Sequence, residues 1–127
     1  FYINKDDTAL KYSPVYFQNF IKKNYEVRLT IVDKKYFPVK IMSRDEVDWR
    51  KFGNDVKYSN CDIPEEILEK CMTFMQFFSM KFGCFDFIIQ NECWYFLEMN
   101  ANGQWLWLEK ELGLDISKAI IDFLNGA

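Results

Sequence analysis

From residue 25 to residue 32 apolar and polar side chains alternate without interruption, Tyr25, Val27, Leu29 and Ile31 on one side and Glu26, Arg28 and Thr30 on the other. A period of two describes an extended strand with one buried face and excludes a helix, whose faces recur every three to four residues. The alternation resumes over residues 36–42, where Phe37, Val39 and Ile41 are the apolar set, after the polar stretch Asp33-Lys34-Lys35. The two runs read as a β-hairpin. Residues 85–90 and 93–99 read as a second hairpin. Strand pairs joined by short reversals, rather than by helical crossovers, predict a largely antiparallel sheet.

Between the hairpins, residues 43–61 are polar and charged and carry Gly53, which predicts a long connection and a candidate active-site loop. Asp62 is positioned to cap a helix whose first turn holds Pro64, Glu65 and Glu66, because acids complement the helix dipole and proline lacks only a donor that is unused there. Ile67, Leu68, Cys71, Met72, Met75 and Phe78 recur at three and four, so this helix should run to about Lys81 and stop at Gly83. A short helix over 105–112 and an amphipathic one over 116–124 complete an α+β domain with packing helices.

Composition narrows the function. With 127 residues, half of them apolar, the chain is one domain with a sizeable core. Its 16 basic and 19 acidic residues give a net charge of -3, so no global basic field exists for nucleic acid or anionic lipid, and any anion site must be local. No apolar run approaches the roughly 18 residues of a membrane span, and no targeting core opens the chain. A soluble, cytoplasmic protein is expected. Cys61, Cys71, Cys84 and Cys93 form no CxxC pair and there is no histidine, which argues against zinc, and three of the four lie in apolar periodic segments and read as small buried thiols. The 19% aromatic content, including Trp49, Trp94, Trp105 and Trp107, suits core or interface packing, with a homodimer or strand-swapped assembly as one outlet for uncovered surface.

Strand register follows from burial, since a one-residue slip sends every apolar side chain to the wrong face. Pairing Phe85 with Met99, Phe87 with Leu97 and Ile89 with Tyr95 keeps apolar against apolar and requires a three-residue loop, Asn91-Glu92-Cys93, with a two-residue Asn91-Glu92 turn as the rival. It also sets Asp86 opposite Glu98, with Asn100 two residues further along. Opposed like charges cost about 0.2–1 kcal/mol, which a divalent cation would offset. Asp86, Glu98 and Asn100 offer only oxygen, the ligand chemistry of Mg²⁺ or Mn²⁺. In the first hairpin, pairing Val27 with Ile41, Leu29 with Val39 and Ile31 with Phe37 would oppose Arg28 and Lys40, a pair suited to a bound anion. Arg50, in the loop, could close over a phosphate or a reacting carboxylate. Charged strand faces and a loop arginine that simply meet solvent are the plain alternative in each case.

The residues Phe96-Leu97-Glu98-Met99-Asn100-Ala101-Asn102-Gly103-Gln104-Trp105, followed by Leu108-Glu109 and the last helix, resemble the C-terminal signature of ATP-grasp enzymes, in particular the graspetide, or microviridin-type, peptide maturases. Upstream, Phe85-Asp86-Phe87, Tyr25-Glu26-Val27-Arg28, Val39-Lys40-Ile41 and Asp48-Trp49-Arg50 fall in the same order as in that family, and Gln18-Asn19-Phe20-Ile21 resembles its adenine-facing hinge. Ala101 departs from the proline usual there.

The resemblance implies the C-terminal lobe of an ATP-grasp fold over residues 1–127, a second lobe preceding it, and no activity for this lobe alone. It implies ATP and Mg²⁺ as cofactors, metal ligation by Asp86, Glu98 and Asn100, nucleotide contacts from Gln18, Phe20, Glu26, Arg28 and Lys40, and catalytic roles for Arg28 and Arg50. The implied partner is a ribosomal precursor peptide whose side-chain carboxylates become acyl phosphates and then esters or amides. Ligation of free amino acids or of a protein tail, and a non-catalytic peptide-docking or dimerisation module, are the alternatives.

Overall fold

The computed structural model describes residue 14 and residues 18–44 and 55–126. Five strands, β1 (Tyr25–Val32), β2 (Lys35–Ser43), β3 (Val56–Asn60), β4 (Phe82–Gln90) and β5 (Cys93–Asn100), form one antiparallel sheet in the order β3-β2-β1-β4-β5. Helix α1 (Glu65–Phe77) joins β3 to β4, while α2 (Leu106–Leu112) and α3 (Ile116–Leu124) follow β5. The fold is α+β, as the alternation predicts. Among the described residues, no helix is long and apolar enough to cross a membrane.

The sheet is covered on both faces. On one, Val27, Leu29 and Ile31 of β1 and Phe85, Phe87 and Ile89 of β4 pack with Cys71 and Met75 of α1. On the other, Val32, Val39 and Ile41 pack with Leu108 of α2 and with Ile116 and Ala119 of α3. The central strand β1 is therefore buried along its length from Glu26 to Val32, its polar members included.

This two-sided burial overturns the register expected for the first hairpin. The sequence argument sets Arg28 opposite Lys40, whereas the structure pairs Arg28 with Val39 and Lys40 with Val27. Apolar matching fails because β1 turns its apolar set towards α1 and β2 turns its own towards α2 and α3. Each strand answers to a different layer, so like need not face like. The turn decides instead: Asp33-Lys34 is a two-residue reversal between Val32 and Lys35, with Asp33 at a φ of 52°.

Other boundaries also differ, including that of β4, which opens at Phe82 rather than at residue 85. Strand β3 lies within the stretch expected to be loop, because its five residues offer only Val56 and Tyr58 as an apolar set; Tyr58 packs against Trp107 at 4.8 Å between ring centroids. Helix α1 begins after Pro64, not Asp62, and has no side-chain cap. It ends at Phe77 rather than near Lys81, where the Met80 and Ser79 amides donate to the Met75 and Gln76 carbonyls and Ser79 takes a φ of 54°. That is a Schellman stop built on serine, which frees Gly83 to join β4.

Burial holds the Cys71 thiol at a pKa of about 11, and burial also raises that of Cys84. A raised thiol pKa contributes stability that is complete below the unfolded value and lost as pH climbs through the folded one. Denaturant midpoints should therefore fall between about pH 9 and pH 11, and Cys71→Ala should flatten that limb while lowering stability at neutral pH.

Candidate metal and phosphate site

One row of the sheet crosses four strands through Val39, Arg28, Asp86 and Glu98, each directly paired with the next. Arg28 lies on the central strand, between β2 and β4, on the β1 face that carries Glu26 and Thr30. Its Nε and Nη2 donate to the two oxygens of Asp86, both at 2.8 Å, and its Nη1 donates to the Gln104 carbonyl at 3.4 Å. Arg28 and Asp86 are 5% and 6% exposed, so this is a desolvated two-pronged ion pair. Burial by itself would lower the proton affinity of the guanidinium, but the hydrogen bonds and charge of Asp86 outweigh it, and the net shift is upward.

Glu98 is exposed on the outer side of Asp86, and Asn100 donates from its Nδ2 to Glu98 Oε1 at 3.1 Å. The next row is Thr30, Cys84 and Asn100, with Thr30 Oγ1 and Cys84 Sγ 3.6 Å apart. The sheet thus brings together the three oxygen donors expected from the sequence. With its nitrogen turned to Glu98, Asn100 keeps its amide oxygen available, and the chemistry of this oxygen-only set is the kind that suits a hard divalent ion.

Strand β5 reaches this arrangement by a route other than the three-residue loop expected from the sequence. The turn is the two-residue rival, Asn91-Glu92, at φ values of 49° and 66°, so that Gln90 pairs with Cys93 and Phe87 with Phe96. Left uncorrected, that register would set Asp86 opposite Leu97. A β-bulge between Asp86 and Phe87 takes up Leu97, and beyond it Asp86 faces Glu98 and Phe85 faces Met99, as expected. The expected pairs Phe87 with Leu97 and Ile89 with Tyr95 are not formed; Ile89 pairs with Trp94.

The remaining expected site residues separate. Lys40 lies on the α1 face, its Nζ 4.1 Å from the centre of the Tyr25 ring, so the sheet stands between it and Arg28 and no anion can bridge them. Glu26 is buried on the Arg28 face and ion-paired to Lys23. Gln18 and Phe20 are exposed in the irregular segment before β1. Arg50 lies outside the described residues.

Two contributors take roles the sequence did not predict: Leu97, taken up by the bulge, and the loop after β5, which reaches Arg28 through Gln104. A side chain at Gly103 would place its Cβ 2.6 Å from Cys84 Cβ and 2.7 Å from Cys84 Sγ, so only glycine lets this loop approach closely enough for Gln104 to reach Arg28. The bulge was deducible: a two-residue turn and an Asp86–Glu98 pair are compatible only if β5 carries one extra residue.

The amide replacements of the two carboxylates should diverge. Asp86→Asn leaves a buried guanidinium without its counter-charge and should cost about 3–5 kcal/mol in urea unfolding. Glu98→Gln, at an exposed position, should stay within about 0.5 kcal/mol of the parent. Gly103→Ala should cost about 1–3 kcal/mol by overpacking against Cys84.

Comparison with known proteins places the chain in a family. The RimK-like ATP-grasp domain matches residues 6–124. No curated protein matches the sequence. Among solved structures, the macrocyclase MdnC of Microcystis aeruginosa MRC, bound to its precursor peptide MdnA, is 31% identical with a TM-score of 0.70, over 84% of this chain and 35% of that one. A RiPP-associated ATP-grasp ligase of Chryseobacterium gregarium, in complex with ADP and with a leader and core peptide, is 28% identical with a TM-score of 0.84, over 98% of this chain and 41% of that one. PsnB, solved with a phosphomimetic variant of its minimal precursor, Mg and ADP, shares the fold at 19% identity and a TM-score of 0.69, over 84% of this chain and 34% of that one. The chain therefore spans well under half the length of these structures, and it belongs to the RimK-like ATP-grasp family of ligases.

Proposed function

We propose that this chain supplies the metal- and phosphate-binding face of an ATP-dependent peptide ligase that activates side-chain carboxylates of a ribosomal precursor peptide and closes ester or amide crosslinks. The observation that carries this reading is the cross-strand row of Arg28, Asp86 and Glu98, with Asn100 beside it, in a chain of the RimK-like ATP-grasp family. The likeness to MdnC and to the Chryseobacterium ligase supports a precursor peptide as substrate and ATP as the phosphoryl donor.

In this reading Asp86, Glu98 and the Asn100 amide oxygen hold Mg²⁺. Held by these residues, the ion would supply positive charge against the phosphates. Arg28, fixed between β2 and β4, directs its guanidinium at the same region and stabilises the transferring phosphoryl group. A carboxylate oxygen of the peptide attacks the γ-phosphorus and ADP leaves. A hydroxyl or amine of the peptide then attacks the acyl carbon, giving up its proton as phosphate departs. Arg50 is assigned to the acyl phosphate by family resemblance, while Lys40, on the far side of the sheet, is left out of the site.

Glu98→Gln tests the reading cleanly because it spares the buried pair. Introduced into the full-length, two-lobed ligase, it should lower ATP-dependent dehydration of the precursor, followed by mass spectrometry, by roughly a hundredfold or more while the circular dichroism spectrum is unchanged. Near-normal turnover at limiting Mg²⁺ would remove the metal assignment.

A further inference from the structure

Asp86 is doubly engaged before any ligand arrives. Both of its oxygens accept from Arg28 at 2.8 Å inside a pair that is almost fully buried, and Glu98 is its neighbour on the other side. The row thus carries one positive and two negative charges. A cation approaching Glu98 meets a second carboxylate whose charge is already compensated and whose oxygens already hold two donated protons. Conversely, a phosphate approaching Arg28 meets a guanidinium whose Nε and Nη2 are spent on Asp86. Each ligand alone finds its protein partner occupied by the other's.

We propose that Arg28 is the resident counter-ion of Asp86, which couples the two halves of the site: the phosphate draws the guanidinium, the metal takes the released carboxylate, and neither binds well alone. This rests on the metal-and-phosphate reading above and adds an interaction between its two ligands. The exchange conserves charge balance throughout, since Asp86 passes from one cation to another and Arg28 from one anion to another, and so avoids leaving either group buried and unpaired. The contact from Arg28 Nη1 to the Gln104 carbonyl ties the exchange to the loop after β5, because a guanidinium that turns towards phosphate lengthens or loses that bond. Linkage requires the coupling to be reciprocal: whatever factor the phosphate adds to metal affinity, the metal adds to phosphate affinity.

The test uses Mn²⁺ and ADP as probes. Free Mn²⁺ is measured by electron paramagnetic resonance during titration of the nucleotide-free protein and of its Arg28→Gln and Arg28→Lys variants. Removing the guanidinium charge should tighten Mn²⁺ binding at least about tenfold, the lower end of what a neighbouring opposite charge does to a carboxylate's affinity for protons. Arg28→Lys, which keeps the charge, should stay near the parent. In the parent, the Arg28 Nε–H resonance should be unmoved by Mg²⁺ alone and should shift when Mg²⁺ and ADP are added together. Equal Mn²⁺ affinity in the parent and Arg28→Gln, or an Nε–H resonance indifferent to Mg²⁺ with ADP, would overturn the proposal. If Arg28→Gln does not fold, the resonance experiment on the parent decides alone. Failure of the underlying reading looks different: Mn²⁺ would then bind no protein, with or without ADP.

Discussion

A guanidinium can be buried in the middle of a sheet only with a counter-charge in hydrogen-bonding reach, and Asp86 meets that condition with two contacts of equal length. Much of the site's geometry follows from this pair. It fixes β1 against β4 at the row where both must be correct, holds the Asp86 carboxylate in one orientation, and gives the loop after β5 something to close onto. Covering the sheet on both faces makes the pair expensive to break and precise in position. The same covering pushes the polar residues of β1 out of water, so Thr30 and Cys84 must satisfy one another in the adjacent row.

What the sequence reveals of this fold, and what it hides, divides along physical lines. Strands β1 and β2 are legible because apolar and polar side chains alternate along them, and β4, β5, α2 and α3 also lie close to where the sequence sets them. Strand β3 is not, since two apolar residues in five make no pattern. The register of the first hairpin misleads because apolar matching assumes a sheet with one dry face, and here Val39 and Ile41 serve a different layer from Val27, Leu29 and Ile31. Once both faces are buried, turn geometry is the stronger constraint.

The placement of the candidate site residues was legible in part. Asp86 and Glu98 are opposed as the apolar pattern requires, and Asn100 lies on the same side. What the pattern could not supply is the partner already present: Arg28 belongs beside Asp86, not beside Lys40, and that depends on β1 lying between β2 and β4 in space though β4 is distant in sequence. An opposed pair of acids invites a cation, and the protein had placed one of its own a strand away. Strand order is a long-range property, and no local spacing encodes it.

The bulge at Leu97 lets one short strand address two different audiences with side chains of the same parity. Trp94 and Phe96, before the bulge, lie against Phe87 on the α1 face, at 5.4 and 5.9 Å between rings. Glu98 and Asn100, after it, stand on the opposite face beside Asp86 and Cys84. In a regular strand all four would share one side, and β5 would have to choose between anchoring the aromatic layer and setting polar side chains beside Asp86. The single extra residue acts as a half-turn in the strand's phase, so the hairpin tip can answer to packing and the hairpin base to chemistry, each free to change without forcing the other out of position.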